Sequence, residues 1–211
     1  HMRIITYSRS KKISLIEAAL QLDLHHSVDL WLTDQIDEDL RSYKDQTGMI
    51  EFSDMITKFV EEDKRLALDA IFLDEAQDLS PLQWDMFFHI EDQCKRSYIA
   101  GDDDQTIYGF QGADPSIFIN LKGTFDNQIK SHRVPTKIHA KALEILKHIN
   151  ERLDKPWEAR GEEGTYKENC LLTDFDFKKD EWMILAQTNA QLKEPAQFLN
   201  DLNLRYKGGQ N

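Results

Sequence analysis

The sequence predicts an α/β protein: an all-helical N-terminal subdomain followed by partial parallel sheets with flanking helices. Three observations carry that reading. Between residues 12 and 66 apolar positions recur every three or four residues and no strand signal appears. Beyond Leu66, short apolar runs end in acidic or glycine-containing loops and each is followed by a helical pattern, the alternation that favours a parallel sheet covered by helices. Pro81, Pro115 and Pro135 stand where those helical patterns begin, and proline suits a first helical turn because its missing N–H is not needed there.

The elements follow in order. Leu15, Ile16, Ala19 and Leu20, then Leu30, Leu32, Ile36, Leu40 and Tyr43, mark the first helices; Gly48 interrupts them, and Ser53 is placed to cap a further helix carrying Met55, Ile56, Phe59 and Val60. Leu68 to Leu73 reads as a strand buried on both faces. A helix over 81–90 follows, then a strand over 97–100 and a helix from Asp114-Pro115. A third strand ends at Ser131, and its helix runs from Pro135 to about Arg152. Residues 153–181 read as loop with one or two short strands, Trp182 to Gln187 as a strand, and the residues around Pro195 as a helix. Trp31, Trp84, Trp157 and Trp182 read as packing residues, and the His25-His26 pair as surface.

The chain has 211 residues, enough for one domain or two small ones with a sizeable core. Lys and Arg number 26 against 38 Asp and Glu, a formal charge of −12, so bulk electrostatics oppose a polyanion and any nucleic-acid contact must be local. No apolar run approaches a membrane span. Two cysteines cannot form a disulfide framework or a structural zinc site, which argues for a reducing compartment.

Three segments carry chemistry. The first, Ile71-Phe72-Leu73-Asp74-Glu75-Ala76-Gln77-Asp78, puts an aspartate at the tip of an apolar strand, where it can hold Mg²⁺, beside a glutamate able to polarise a water. Taken alone, the pair is most simply an acidic turn closing a strand. The second, from Ala100 to Ala113, follows the next strand and holds Gly101, Gly109, Gly112 and the Gln105 amide, suited to close approach by a phosphate. Its three aspartates lack the alternation of a calcium loop. The third, Lys130-Ser131-His132-Arg133-Val134-Pro135, offers a guanidinium fork and a ring at a strand-to-helix junction.

In this order the three segments resemble motifs II, III and IV of the UvrD/Rep-like superfamily 1 DNA helicases, a resemblance spanning roughly residues 40–207. Ile50 to Met55 is similar to the family's Asp-Phe-x-Asp-Leu segment, Trp182 to Tyr206 to its next strand and helix, and the Ser131 to Pro135 form to phage-encoded relatives. The resemblance implies ATP and Mg²⁺ as cofactors and single-stranded and duplex DNA as partners, with an ATP-dependent, 3′ to 5′ unwinding activity in a bacterial or host cytoplasm and no membrane association. It implies that Asp74 helps bind Mg²⁺, Glu75 activates the hydrolytic water and Gln105 senses the γ-phosphate. Arg133 would reach that phosphate from a second motor lobe and His132 would face the adenine, where relatives commonly place tyrosine. Tyr108, Phe110 and Gln111 would line the single-strand path; Gln111 and Gln187 stand where the family often has arginine, and Phe110 where it often has tryptophan.

The implied organisation is a helical insertion subdomain over 1–66, the C-terminal half of a RecA-like lobe over 67–124, and the start of a second lobe over 125–211. No Gly-Lys dipeptide occurs, so the phosphate-cradling loop G-x-x-x-x-G-K-[ST] is missing, and so are the family's motifs V and VI. The chain is therefore expected to be the middle of a motor and inactive by itself, its partner being the rest of the helicase. Other readings are a non-catalytic nucleic-acid-binding module, part of a helicase-nuclease, or a metal-dependent phosphoesterase using Asp74 and Asp102 to Asp104.

Overall fold

The computed structural model describes residues 1–208. Four helices come first: α1 (Met2–Lys11), α2 (Leu15–Gln21), α3 (Leu30–Thr47) and α4 (Phe52–Glu61). Local chemistry sets most of their ends. Ser14 accepts from the Glu17 N–H while its own N–H donates to the Glu17 carboxylate, a reciprocal cap for α2. Asp29 caps α3 through the Leu32 N–H, and Gly48, at φ 69°, ends it in the left-handed region. The cap of α4 lies two residues before Ser53: the Glu51 N–H donates to the Asp54 carboxylate at 2.8 Å, and Ser53 sits inside the helix.

The sequence reading begins its helical region at residue 12 and thus omits α1, whose Ile4, Ile5 and Tyr7 are buried. Two adjacent β-branched residues disfavour a helix locally, and packing decides the matter. Ile4 and Tyr7 close over Ala18 and Ala19, with Ile13, Leu22 and Val28 around them. Arg9 of α1 is paired with Asp37 of α3 and with Glu51 at the start of α4, and Lys44 reaches Glu51 at 3.0 Å and Asp54 at 2.7 Å. Asp37 is 4% exposed, and a second guanidinium, Arg41 at 2.6 Å, shares its neutralisation.

The period then changes. Strand β1 (Ala70–Leu73) pairs in parallel with β2 (Arg96–Ile99), in register Ala70 with Arg96 through Leu73 with Ile99. Helix α5 (Pro81–Glu91) makes the crossover, with Ser80 and Gln83 capping each other across its first turn. A short helix, α6 (Pro115–Ile119), follows, capped by Asp114. Trp84 and Phe87 of α5 close with Ala76 against Ile71, Leu73 and Ile99 on one sheet face, joined by Ile117 and Phe118 from α6. The other face differs from expectation. Phe72 and Tyr98 stack there at 4.8 Å and remain 76% and 49% exposed, so the strands are covered on one side and not on both.

Beyond residue 125 regular structure is sparser than the sequence suggests. The expected third strand is reduced to one parallel bridge, Lys130 with Glu158, so the described residues contain one two-stranded sheet and not several. Helix α7 (Thr136–Leu146) begins after Pro135 as read but ends six residues before Arg152. Its His139 packs edge-on against Trp157. Residues 182–187 form no strand, and Met183 and Leu185 are exposed; an apolar run becomes a strand only where a neighbour supplies N–H and C=O partners. Helix α8 (Lys193–Asp201) holds Pro195 in its first turn and Phe198 beside Phe177. Trp31 is exposed, whereas Trp84 is buried.

The C-terminal part is tied to the loop after β2 by charge. Arg152 grips the Asp104 carboxylate with two bonds, at 2.7 and 2.8 Å, and Lys155 reaches Asp102, Asp103 and Asp104. The guanidinium holds the Asp104 carboxyl below the usual carboxylate range.

Trp84→Ala is expected to cost about 3–5 kcal/mol in urea unfolding, since it empties the centre of the second core. Asp104 sets an acid dependence. Because its pKa is lowered on folding, its stabilising contribution is present above its ordinary value of about 4 and is lost as the pH falls through the lower folded value. Urea midpoints at pH 7 and pH 3 should therefore drop less for Asp104→Asn than for the parent sequence.

Candidate functional site

The two strands deliver two loops to one end of the sheet. Asp74 and Glu75 follow β1 directly, and Gly101 to Gln105 follow β2. The ladder continues past the strand ends: the Ala100 N–H donates to the Leu73 carbonyl at 2.7 Å, and the Ala76 N–H to the Ala100 carbonyl at 3.0 Å. Glu75 itself adopts φ 53°, a left-handed conformation that costs a non-glycine residue energy, and a short 3₁₀ turn over Ala76–Asp78 follows it. That reversal lets the chain turn back under its own carboxylates while both remain exposed.

A buried amide joins the loops. Gln77, 1% exposed, donates from Nε2 to Glu75 Oε2 at 2.8 Å and accepts at Oε1 from the Asp102 N–H at 2.9 Å. Asp102 in turn accepts from Gln105 Nε2 through its Oδ2. Glu75 and Gln105 are thus connected through three hydrogen bonds across two strand ends. Asp74 lies beside them, its Oδ1 accepting from the Glu75 N–H at 2.9 Å, and among the described residues its Oδ2 has no hydrogen-bond partner. An exposed carboxylate oxygen at a strand tip fits a hard cation that keeps part of its water shell.

Glycine matters here for a reason other than phosphate contact. A Cβ on Gly101 would lie 2.7 Å from Gln77 Oε1 and 3.2 Å from the Ala76 backbone nitrogen, so the position is closed to side chains by the bridge itself. Gly109 has open space around it, and Gly112, at φ 99°, provides a left-handed turn against Ser10. The triplet Asp102 to Asp104 is committed elsewhere: the Lys155 ammonium already lies among its three carboxylates, and the Arg152 guanidinium takes both oxygens of Asp104. Neither a calcium loop nor a phosphoesterase metal site fits that arrangement.

Tyr108 and Phe110 lie just beyond, their rings 6.2 Å apart and both exposed. With Gln111 they border a groove whose other wall is built from α1 and from Phe52 and Ser53 of α4. His132 and Arg133 are exposed as well; the backbone N–H of Arg133 donates to Ser131 Oγ at 3.2 Å. Among the described residues no side-chain hydrogen bond or ion pair joins them to the network around Glu75 and Gln105. The structure therefore brings Asp74, Glu75 and Gln105 together and leaves His132 and Arg133 outside that set. Gln77, Arg152 and Lys155 are the parts that sequence reasoning missed, and Asp102, read there only as a possible metal ligand, serves as the bridge. Gln77 stands within the first quoted segment, but nothing in its spacing marks it as buried; Lys155 lies in a charge-rich stretch that reads as loop.

Among known proteins, the family described as UvrD/REP helicase N-terminal domain matches residues 5–126, more than half of the chain and inclusive of both strand-end loops. The chain is 24% identical over 159 residues to the ATP-dependent DNA helicase PcrA of Leuconostoc citreum, covering 64% of this chain and 21% of that protein. It is 27% identical over 133 residues to DNA helicase II of Haemophilus influenzae, 57% of this chain and 18% of that one. It is 32% identical over 80 residues to an ATP-dependent helicase/nuclease subunit of Lacticaseibacillus casei, 37% and 6% respectively. The chain spans 21%, 18% and 6% of the lengths of these curated relatives. No described helix is long and apolar enough to cross a membrane. With the match running through both loops that the Gln77 amide joins, the chain belongs to the UvrD/REP helicase family.

Proposed function

We propose that this chain is the central part of an ATP-driven DNA helicase, working 3′ to 5′, and that the strand-end network is half of its nucleotide site. The observation carrying this is the hydrogen-bonded path from Glu75 through Gln77 and Asp102 to Gln105. A motor must make the state of a phosphate felt at a distance, and a hydrogen-bonded path that runs through a buried, doubly satisfied amide couples its two ends. In this reading Asp74 holds Mg²⁺ and Glu75 orients the attacking water. Gln105 exchanges its bond to Asp102 for one to the γ-phosphate, while Arg133 and His132 approach the nucleotide from the second lobe. When bound, Mg²⁺ supplies neutralisation of the charge on the transferring phosphoryl group.

The proposed division is a helical insertion over 1–66, the second half of a RecA-like lobe over 67–124 and the beginning of another over 125–211. The exposed Phe72–Tyr98 face supports it, being suited to cover by further elements of a larger lobe. Exposed Tyr108 and Phe110 suit stacking on successive bases, a mode that tolerates an acidic protein body, with Gln111 beside them. The relatives named as ATP-dependent helicases are consistent with the same chemistry.

The chain alone is expected to show no turnover, because positioning supplies most of phosphoryl-transfer catalysis and no Gly-Lys phosphate cradle is present. In a longer helicase carrying this segment, Glu75→Gln should lower single-strand-stimulated ATP hydrolysis by roughly 10²–10⁴-fold. Unchanged turnover in that variant, or robust hydrolysis by the 211-residue chain, would count against the reading.

A further inference from the structure

The loop that carries Gln105 is not held by its own strand alone. Asp102, Asp103 and Asp104 bring carboxylate oxygens within 4.8 Å of one another, and the side chains of Asp103 and Asp104 are only 1% and 9% exposed. Like charges so close and so dry would drive the loop apart without cations. Both cations come from the segment after α7. Arg152 takes the two oxygens of Asp104, and the Leu153 N–H donates to Asp103 Oδ2 at 2.7 Å. Lys155 touches all three aspartates.

The two oxygens of Asp102 are divided between two tasks. Oδ1 takes the Lys155 ammonium at 2.7 Å and the Asp104 N–H at 3.2 Å, while Oδ2 takes the Gln105 amide. The backbone N–H of the same residue is held by Gln77. Holding Oδ1 narrows the positions open to Oδ2, so the ammonium, together with the Asp104 N–H, sets where Gln105 Nε2 finds its acceptor.

We infer that Lys155 is a positioning residue for Gln105, acting through Asp102, and that Arg152 anchors it, so that the segment after α7 governs the orientation of the strand-end amide. This rests on the nucleotide role proposed for Gln105. Its consequence is a line of communication between the proposed lobes. Withdrawal of residues 152–155 from the loop leaves Asp102 Oδ1 with the Asp104 N–H alone and loosens the acceptor of Gln105 and, through the same residue, the Gln77 bridge to Glu75.

Side-chain amide resonances of isotope-labelled chain read this directly. In Lys155→Met the Gln105 and Gln77 Nε2 signals should move, those of Gln46 on α3 should not, and Lys155→Arg should restore the original positions. In a longer helicase carrying the segment, Lys155→Met should lower kcat for ATP about 10- to 100-fold and Lys155→Arg should recover most of it, as a misplaced positioning contact would. Unmoved Gln105 and Gln77 signals in a folded Lys155→Met chain overturn the inference, and so do moved signals with unaltered turnover. An unsubstituted parent helicase without ATP hydrolysis would instead sink the helicase reading, while the amide signals still decide whether Lys155 holds the loop.

Discussion

Gln77 occupies the space between two loops that are otherwise joined through backbone, by the Ala76 N–H to the Ala100 carbonyl and the Ala100 N–H to the Leu73 carbonyl. Its amide has one donor end on the Glu75 carboxylate and one acceptor end on the Asp102 backbone, and it is buried, so loss of either bond would strand a polar group away from water. Much of the surrounding structure follows from keeping that amide satisfied. Glu75 takes a left-handed conformation, so the chain doubles back beneath its own carboxylate. Gly101 has no side chain because a Cβ there would come within 2.7 Å of the amide oxygen. Ala76, fully buried, lets Trp84 close the core directly beneath the turn.

The supporting scaffold is small, and a two-stranded ladder of four residues each is marginal by itself. Rigidity comes from what is packed around it. Trp84 and Phe87 seal one sheet face, and the α4–α5 and α1–α5 packing joins the strands to the N-terminal helices. The Arg152 and Lys155 pairs hold the loop after β2. The Asp74 and Glu75 carboxylates are thus left exposed on a base held by packing and by ion pairs. A site preorganised in that way spends little reorganisation at the moment of reaction.

Features with local causes were legible in the sequence. The β1 tip with Asp74-Glu75, the helix opened by Ser80-Pro81, the Asp114-Pro115 start and the stop at Gly48 depend on residues within a few positions of one another, and each lies within a few residues of where the sequence puts it. The rest depends on partners far along the chain. Lys155 and Asp102 are 53 positions apart, and no periodicity connects them. Gln77 looks like any polar residue in an acidic turn until the second strand is laid beside the first. Residues 182–187 have the composition of a strand but no neighbour to pair with, and α1 has the β-branched residues of a strand but the burial of a helix. Long-range hydrogen bonding and charge decided the first three, and long-range apolar packing decided α1.

The central claim is that the ends of β1 and β2 serve one nucleotide. It is tested most directly by the structure of a longer helicase carrying this segment, bound to Mg²⁺ and a non-hydrolysable ATP analogue. The metal should be held through Asp74, with Gln105 Nε2 turned from Asp102 to within hydrogen-bond reach of the γ-phosphate and the Gln77 bridge intact. A nucleotide bound away from these strand ends, or a Gln105 amide that stays on Asp102 beyond reach of the phosphate, would contradict it.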